Sequence, residues 1–289
     1  MQYATISWWI FAEKECIAIK NIGIDVGGTL IKVASMENDV LSFNKFPVAQ
    51  IENVAIEMNK LDDAKICLTG GKAELFESFM IRKPLHIVEF EATCRGVQYL
   101  LNKYDSKQQE YIVTNVGTGT SIHHVGKTKH ERIGGTGVGG GTLLGLARLL
   151  TGLTDYEDIV KLASKGERDR IDLKVSHIYE DAEPPIPGDL TASNFGRMLK
   201  LPSTDELTHE ELLASVVGLV GETVATTSVL AAQNCGVSSV VFIGSTFIDN
   251  ELLSETVQRY TLLRGASPVF VKNGEYSGAI GALLYGARS

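Results

Sequence analysis

Twice in this 289-residue chain, roughly 90 residues apart, an apolar strand runs through a polar residue into Val-Gly, passes small residues and resumes as an apolar strand. The two stretches are IGIDVGGTLIKV from Ile22 and IVTNVGTGTSIHH from Ile112. Apolar runs flanking glycine at a tight spacing read as β-hairpins. A hairpin made twice, each time followed by helices and further strands, constrains the chain to a doubled α/β protein. The expected architecture is two lobes, each with its own sheet, and each offering one glycine hairpin to a shared cleft.

The rest of the chain can be placed on that frame. In the first round, NIGIDV, TLIKVASM and VLSFNKF form an antiparallel meander through the turns Gly27-Gly28 and Asn38-Asp39, residues that tolerate positive φ. Strands then alternate with helices, which implies parallel additions to the sheet: a helix near 50–61, KICLTG, a helix near 73–80, LHIVEF and a helix near 91–104. The second round opens at Tyr111 with YIVTNV, TSIHHV and KHERIGG, then helices near 141–150 and 156–164. After an irregular stretch containing EPPIPGDLTASNFG comes a long helix near 208–234, interrupted by Glu222 and so better read as a buried helix than a membrane span. SVVFIGS, a helix near 250–264, SPVFV and a last helix, YSGAIGALLYGA, follow. In that last helix Gly278, Ala279, Gly281 and Ala282 form a face that another backbone can approach closely.

A net charge of −8 lacks the basic footprint that nucleic acid or an anionic membrane requires, so a small molecule or another protein is the expected partner. Four scattered cysteines, without CxxC or zinc spacing, fit a reduced cytoplasm. His123 and His124, adjacent on a strand, point to opposite faces and make a poor metal pair. The first 16 residues carry an apolar run without a basic region or cleavage site, so a signal peptide is not expected.

Several residues have the chemistry of a phosphate site. Backbone amides at a glycine hairpin bind phosphate oxygens, so Gly27, Gly28 and Thr29 are candidates, with Lys32 as a nearby cation. Asp25, at the strand end, suits Mg²⁺, which favours a carboxylate plus substrate phosphates. The second hairpin adds the hydroxyls of Thr118 and Thr120, and the two hairpins together can grip one nucleotide from two sides. RIGGTGVGGGT, residues 132–142, feeds glycines into the helical pattern LLGLARLL, where free amides and the helix dipole favour an anion. It is neither a Walker A loop nor a dinucleotide fingerprint. Glu89, at the junction of a strand and a helix, suits a general base, and Glu91 competes with it on chemistry alone. Arg132 suits a phosphoryl group or a carboxylate, and Ser245, at another strand end, an adenine or ribose.

GIDVGGTLIK, VEFEAT, NVGTGTS, RIGGTGVGGGT, PPIPGDLTASNFG, VVFIGST and YSGAIGAL, in this order, resemble the type II pantothenate kinases of bacilli and staphylococci. The resemblance runs from about Lys20 to the carboxyl terminus. It implies the acetate kinase, sugar kinase, Hsp70 and actin superfamily: two ribonuclease H-like lobes with mixed sheets flanked by helices and a nucleotide cleft between them. It implies ATP- and Mg²⁺-dependent phosphorylation of pantothenate to 4′-phosphopantothenate by a cytoplasmic homodimer. It makes Glu89 rather than Glu91 the base, places Asp25 to Lys32, Thr118, Gly140, Gly141, Thr142, Leu143, Leu144, Tyr156 and Ser245 at the nucleotide, and places Arg132 and Thr120 at pantothenate. The expected lobes are residues 20–108 and 109–289, with 1–19 an extension lacking a counterpart in the family. A hexose kinase of the same fold is the nearest rival. Such kinases commonly use an aspartate base, often in an Asn-Asp pair, and one branch carries a Cys/His zinc cluster. Neither signature is expected to serve here, where Asn38-Asp39 reads as a turn; a nucleotide-operated chaperone would need a further domain.

Overall fold

The computed structural model describes residues 21–38, 40–61, 63–104, 110–126, 129–179, 182–201 and 206–288. The expected extension, 1–19, and Asp39 of the second turn lie outside them. In chain order the elements are β1 (Asn21–Val26), β2 (Leu30–Glu37), β3 (Val40–Pro47), α1 (Ile51–Asn59), β4 (Lys65–Thr69), α2 (Ala73–Glu77), β5 (Leu85–His86) and α3 (Glu89–Lys103). Then come β6 (Tyr111–Val116), β7 (Thr120–Val125), β8 (His130–Thr136), α4 (Gly140–Thr151), α5 (Tyr156–Ala163), β9 (Leu173–Lys174), α6 (Ser176–Tyr179) and β10 (Thr191–Ser193). The long α7 (His209–Asn234), β11 (Ser239–Ile243), α8 (Glu251–Leu263), β12 (Ser267–Phe270) and α9 (Ser277–Gly286) complete the chain.

Two five-stranded sheets result, and their strand orders correspond: β3-β2-β1-β4-β5 and β8-β7-β6-β11-β12. In each, the first three strands pair antiparallel and the last two add in parallel. The doubling inferred from the two hairpins is therefore a doubling of topology. Compact units divide the chain at 1–93 with 278–289 and at 94–277. This differs from the expected boundary at 108/109 and from the expectation that the carboxyl terminus stays in the second lobe. The physical reason for the return is the small-residue face of α9. A Cβ on Gly23 of β1 would lie 1.9 Å from Ala279 O, and one on Gly281 would lie 1.8 Å from Ala92 O, so only glycine permits this contact.

Each sheet is covered on both faces. In the first unit Ile22, Ile24, Val26, Ile31 and Leu68 pack against Val54 and Met58 of α1 and Phe76 of α2, while Cys67, Ala92 and Ala282 fill the opposite face. In the second unit Ile112, Val116, Val240 and Phe242 face α4, α5, α7 and α8, and the alternate residues Tyr111, Val113, Val241 and Ile243 face Cys94, Val97 and Leu101 of α3. Each fully buried Ile, Leu or Phe contributes about 1.5–3 kcal/mol.

The long helix starts where the sequence places it. Thr208 Oγ1 accepts from Glu211 N–H at 3.2 Å while Glu211 Oε2 accepts from Thr208 N–H at 2.9 Å, a reciprocal cap. Although α7 is long and apolar enough to cross a membrane, 72% of its most apolar stretch is buried inside the protein. Glu222, the residue that breaks its apolar run, is paired. Arg168 Nη2 donates to Glu222 Oε1 at 2.5 Å and Arg168 Nε to Asp172 Oδ2 at 2.6 Å, with Thr191 and Asn194 also on Glu222. Gly218 makes room, since a Cβ there would lie 2.0 Å from the Arg168 Cζ.

LHIVEF is the element that departs most from expectation. Only Leu85 and His86 pair, with Cys67 and Leu68, and Ile87 N–H adds one bond to Leu68 O at 3.1 Å. Val88 O then accepts from Ala92 N–H at 3.0 Å, so the helix begins with Glu89 instead of Glu91. Two acids in the first turn, Glu89 and Glu91, suit the positive end of the helix dipole.

Candidate active site

At the carboxyl end of β1, Asp25 pairs with Lys32 across the hairpin and with Thr69 of β4. Lys32 Nζ stands 3.9 Å from Asp25 Oδ2, and both side chains are largely buried. Burial pushes the Asp25 carboxyl above its ordinary range, with the Lys32 ammonium opposing. The carboxylate fits between two glycines. A Cβ on Gly70, whose φ is +96°, would lie 2.7 Å from Oδ1, and one on Gly278 would lie 2.8 Å from Oδ2. Gly27 N–H donates to Leu30 O at 3.0 Å, so the tip of the hairpin is Gly28-Thr29 rather than the Gly27-Gly28 expected, and both tip residues are exposed. Asn38, in the next turn, does take the expected positive φ, at 48°.

Glu89 is exposed in the first turn of α3, and Glu91 in the same turn is half-buried. Two residues apart on a helix do not face the same way, so one acceptor cannot be served equally by both.

In the second unit the hairpin closes through Gly117-Thr118-Gly119, with Gly117 N–H on Gly119 O at 2.9 Å. The glycine-rich run returns to it. Gly140 N–H donates to Gly117 O and Gly141 N–H to Thr118 O, both at 2.8 Å. The expected free amides at the start of α4 are thus committed at these two positions, and they tie the helix to the hairpin. Thr142 Oγ1 accepts from Gly139 N–H at 3.3 Å and donates to Gly137 O at 3.0 Å. Leu143 is fully buried in the core with its N–H on Gly139 O, and Leu144 packs against the same core. Leu143 thus has no exposed side chain, whereas Leu144 is half-buried. Thr120 is buried too, and its hydroxyl donates to Val138 O at 2.8 Å, bracing the glycine run. Thr118, at the tip, is exposed.

Tyr156 likewise has a structural task. Its hydroxyl donates to Thr246 O at 2.5 Å and accepts from Asn250 Nδ2 at 3.1 Å, and burial raises its pKa. It anchors the turn after β11 that begins with the half-buried Ser245. Arg132 on β8 lies opposite His123 and is exposed, with its guanidinium across Gly135. His123 is buried, with Nε2 3.0 Å from Ser121 Oγ, and burial followed by the Arg132 charge holds its pKa down to about 4.

The segment Thr69-Gly70-Gly71-Lys72, outside the expected site residues, closes on the end of β1 through Lys72 N–H to Val26 O at 3.0 Å. A strand ending in Thr-Gly-Gly was the available signal, since glycines at a strand end mark close backbone approach. The donor set also bears on the metal. Among the described residues no group of three or more His, Cys, Asp or Glu could hold an ion. A single carboxylate in a cradle without Cβ atoms fits Mg²⁺ that arrives with phosphates, not a resident all-protein site.

The Fumble family model matches residues 34–285. The type II pantothenate kinase of Staphylococcus aureus (strain MRSA252) is 44% identical over 266 residues, which cover 92% of this chain and 99% of that one. The type II pantothenate kinase of Staphylococcus epidermidis (strain ATCC 12228) is 43% identical over 262 residues, 91% and 98% of the two chains. Among solved structures, component A of the (R)-2-hydroxyglutaryl-CoA dehydratase of Acidaminococcus fermentans superposes with a TM-score of 0.61 at 17% identity, covering 92% of this chain and 96% of that one, a likeness of fold.

Proposed function

The chain belongs to the Fumble family, and with its relatives to the type II pantothenate kinases, and on that premise we propose which side chains carry the reaction. The enzyme is a kinase that transfers the terminal phosphoryl group of ATP to pantothenate, giving 4′-phosphopantothenate, the first step towards coenzyme A. Asp25 is the residue that would hold Mg²⁺, and the observation that carries this assignment is its seat between Gly70 and Gly278 at the end of β1. Held there with ATP, Mg²⁺ would supply neutralisation of the charge on the transferring phosphoryl group.

Lys32 and the exposed tip Gly28-Thr29 act on the phosphates from the same hairpin, and Thr118 and Ser245 make the nucleotide contacts of the second unit. Gly140, Gly141, Thr142, Leu143 and Tyr156 support these residues through the bonds described above, without presenting their own side chains. Glu89 accepts the proton of the primary hydroxyl of pantothenate as that oxygen attacks. Arg132, exposed on β8, is the cation for the pantothenate carboxylate. The working form is a cytoplasmic homodimer, and thiols left without a disulfide at Cys67 and Cys235 suit the cytoplasmic part of that reading.

Pantothenate-dependent release of ADP by the purified chain tests the reaction, and turnover of glucose without turnover of pantothenate would reverse it. Glu89→Gln should abolish turnover and leave ATP affinity, measured by calorimetry, within a few-fold of the parent. Equal loss of both removes Glu89 as the base.

A further inference from the structure

Thr69 is the last residue of β4 and lies in parallel register beside Asp25. Paired residues of neighbouring strands project to the same face across a spacing of about 4.8 Å. That face is the one α9 covers: Gly23, two residues before Asp25, abuts Ala279, and Cys67, two residues before Thr69, packs with Ala282. Thr69 is 1% exposed, and its Oγ1 has no hydrogen-bond partner among the described residues.

An unpartnered buried hydroxyl calls for a physical explanation, because native interiors satisfy nearly all such groups. Ser215 and Thr261 are in the same condition inside helices, so the missing partner alone decides nothing. The setting separates Thr69 from them. It stands at a strand's carboxyl end, next to a carboxylate, in a place where two glycines keep side chains away from that carboxylate. The chain beyond is open, since Gly71 is exposed and a Cβ on it would meet nothing within 4 Å. Two buried threonines on strands of the second unit differ: Thr114 bonds Ser228 Oγ at 2.8 Å and Thr120 bonds Val138 O at 2.8 Å.

We propose that Thr69 is a positioning residue for the metal–nucleotide complex, its hydroxyl finding its partner in the outer coordination shell of the Mg²⁺ that ATP brings to Asp25. The proposal rests on the reading of Asp25 as the metal carboxylate. Outer-shell partners of this kind are worth about ten- to a hundred-fold in affinity when removed. The free protein, by contrast, gains from losing a hydroxyl it cannot satisfy.

Thr69→Val, with Thr69→Ala as the variant that cannot overpack and Thr69→Ser as the one that keeps the hydroxyl, should be titrated with a non-hydrolysable ATP analogue, with Mg²⁺ and in EDTA. Melting without ligand is the second readout. Thr69→Val should melt at or above the parent temperature and bind the analogue with Mg²⁺ about ten-fold more weakly, with affinity in EDTA unchanged. Thr69→Ser should stay within about three-fold of the parent. Parent affinity with Mg²⁺ in both Thr69→Val and Thr69→Ala, or equal losses with and without Mg²⁺, overturns the proposal. Asp25→Asn separates this failure from that of the underlying reading. If it abolishes Mg²⁺-dependent binding while the Thr69 variants do not, only the role of Thr69 falls. If it leaves that binding intact, the metal assignment falls and this inference with it.

Discussion

Replacing Gly278 with alanine places a methyl group against Asp25. The new Cβ would lie 2.8 Å from Oδ2, 2.9 Å from Cγ and 3.3 Å from Cβ of Asp25. Ordinary contact begins at 3.4 Å, so the carboxylate oxygen, or the turn of α9, must move by roughly 0.6 Å. Two effects on stability oppose each other. Alanine gains about 1 kcal/mol over glycine in a helix, whereas overpacking a close contact costs about 1–3 kcal/mol. The net loss is therefore about 0–2 kcal/mol, and the melting temperature should fall by at most about 8 °C. Turnover should suffer more. A 1 Å misplacement can lower a rate by about 100-fold, so if Asp25 holds the metal as proposed, a 0.6 Å recoil of its carboxylate should lower kcat on the order of ten-fold. Coupled ADP release at saturating pantothenate, with Mg²⁺ titrated, reads this directly, and the Mg²⁺ concentration for half-maximal rate should rise with it. A folded Gly278→Ala enzyme with parent kcat and Mg²⁺ dependence would refute the reasoning, because it would show that the position of Asp25 is not set by the missing Cβ.

Glu222→Ala removes the partner of a buried arginine and leaves Thr191 and Asn194 without their acceptor, which should cost about 3–5 kcal/mol and lower the melting temperature by on the order of 10 °C. An unchanged melting curve would contradict the buried pair. His123 predicts a pH effect of definite sign. Its folded pKa of about 4 lies below the ordinary 6.5, so the unfolded chain binds the extra proton, and its contribution is full above pH 6.5 and lost as pH falls towards 4. The loss approaches about 1.4 kcal/mol per pH unit and sums to about 3 kcal/mol. Urea unfolding at pH 7.5 and pH 5 should show a larger decline for the parent than for His123→Gln, and equal declines would count against it.

What could be read from the sequence was what a short window determines. Strand periodicity and glycine placement located both hairpins, and the apolar pattern near 208–234 put the start of α7 within a residue. The strand pattern also put Asp25 near the end of β1, whereas Glu89, expected where a strand meets a helix, lies in the first turn of α3. The misplaced features depend on partners distant in sequence. Whether Gly140 and Gly141 present free amides is decided by the carbonyls of Gly117 and Thr118, more than 20 residues earlier. Whether the hydroxyl of Thr120 meets a ligand is decided by Val138 O. The end of LHIVEF as a strand is decided by how little of β4 remains to pair with it.

The same dependence on distant partners governs the residues around Asp25. Gly70 and Gly278 are more than 200 residues apart: Gly70 simply follows a strand, and the small-residue face that includes Gly278 announces a close approach without saying which side chain it meets. What they do is leave space, and a space leaves no periodicity or charge in the sequence. Only when α9 returns to the first unit do the two absences become one cradle, with Asp25 Oδ1 against one glycine and Oδ2 against the other. If that cradle fixes the carboxylate, Gly70→Ala must be more harmful than Gly278→Ala. It adds the strain of a non-glycine residue at φ +96° and a clash 2.6 Å from Val26 O to the same push on Asp25. Equal melting and equal turnover in the two variants would mean that backbone strain at the end of β4 has no part in holding the site.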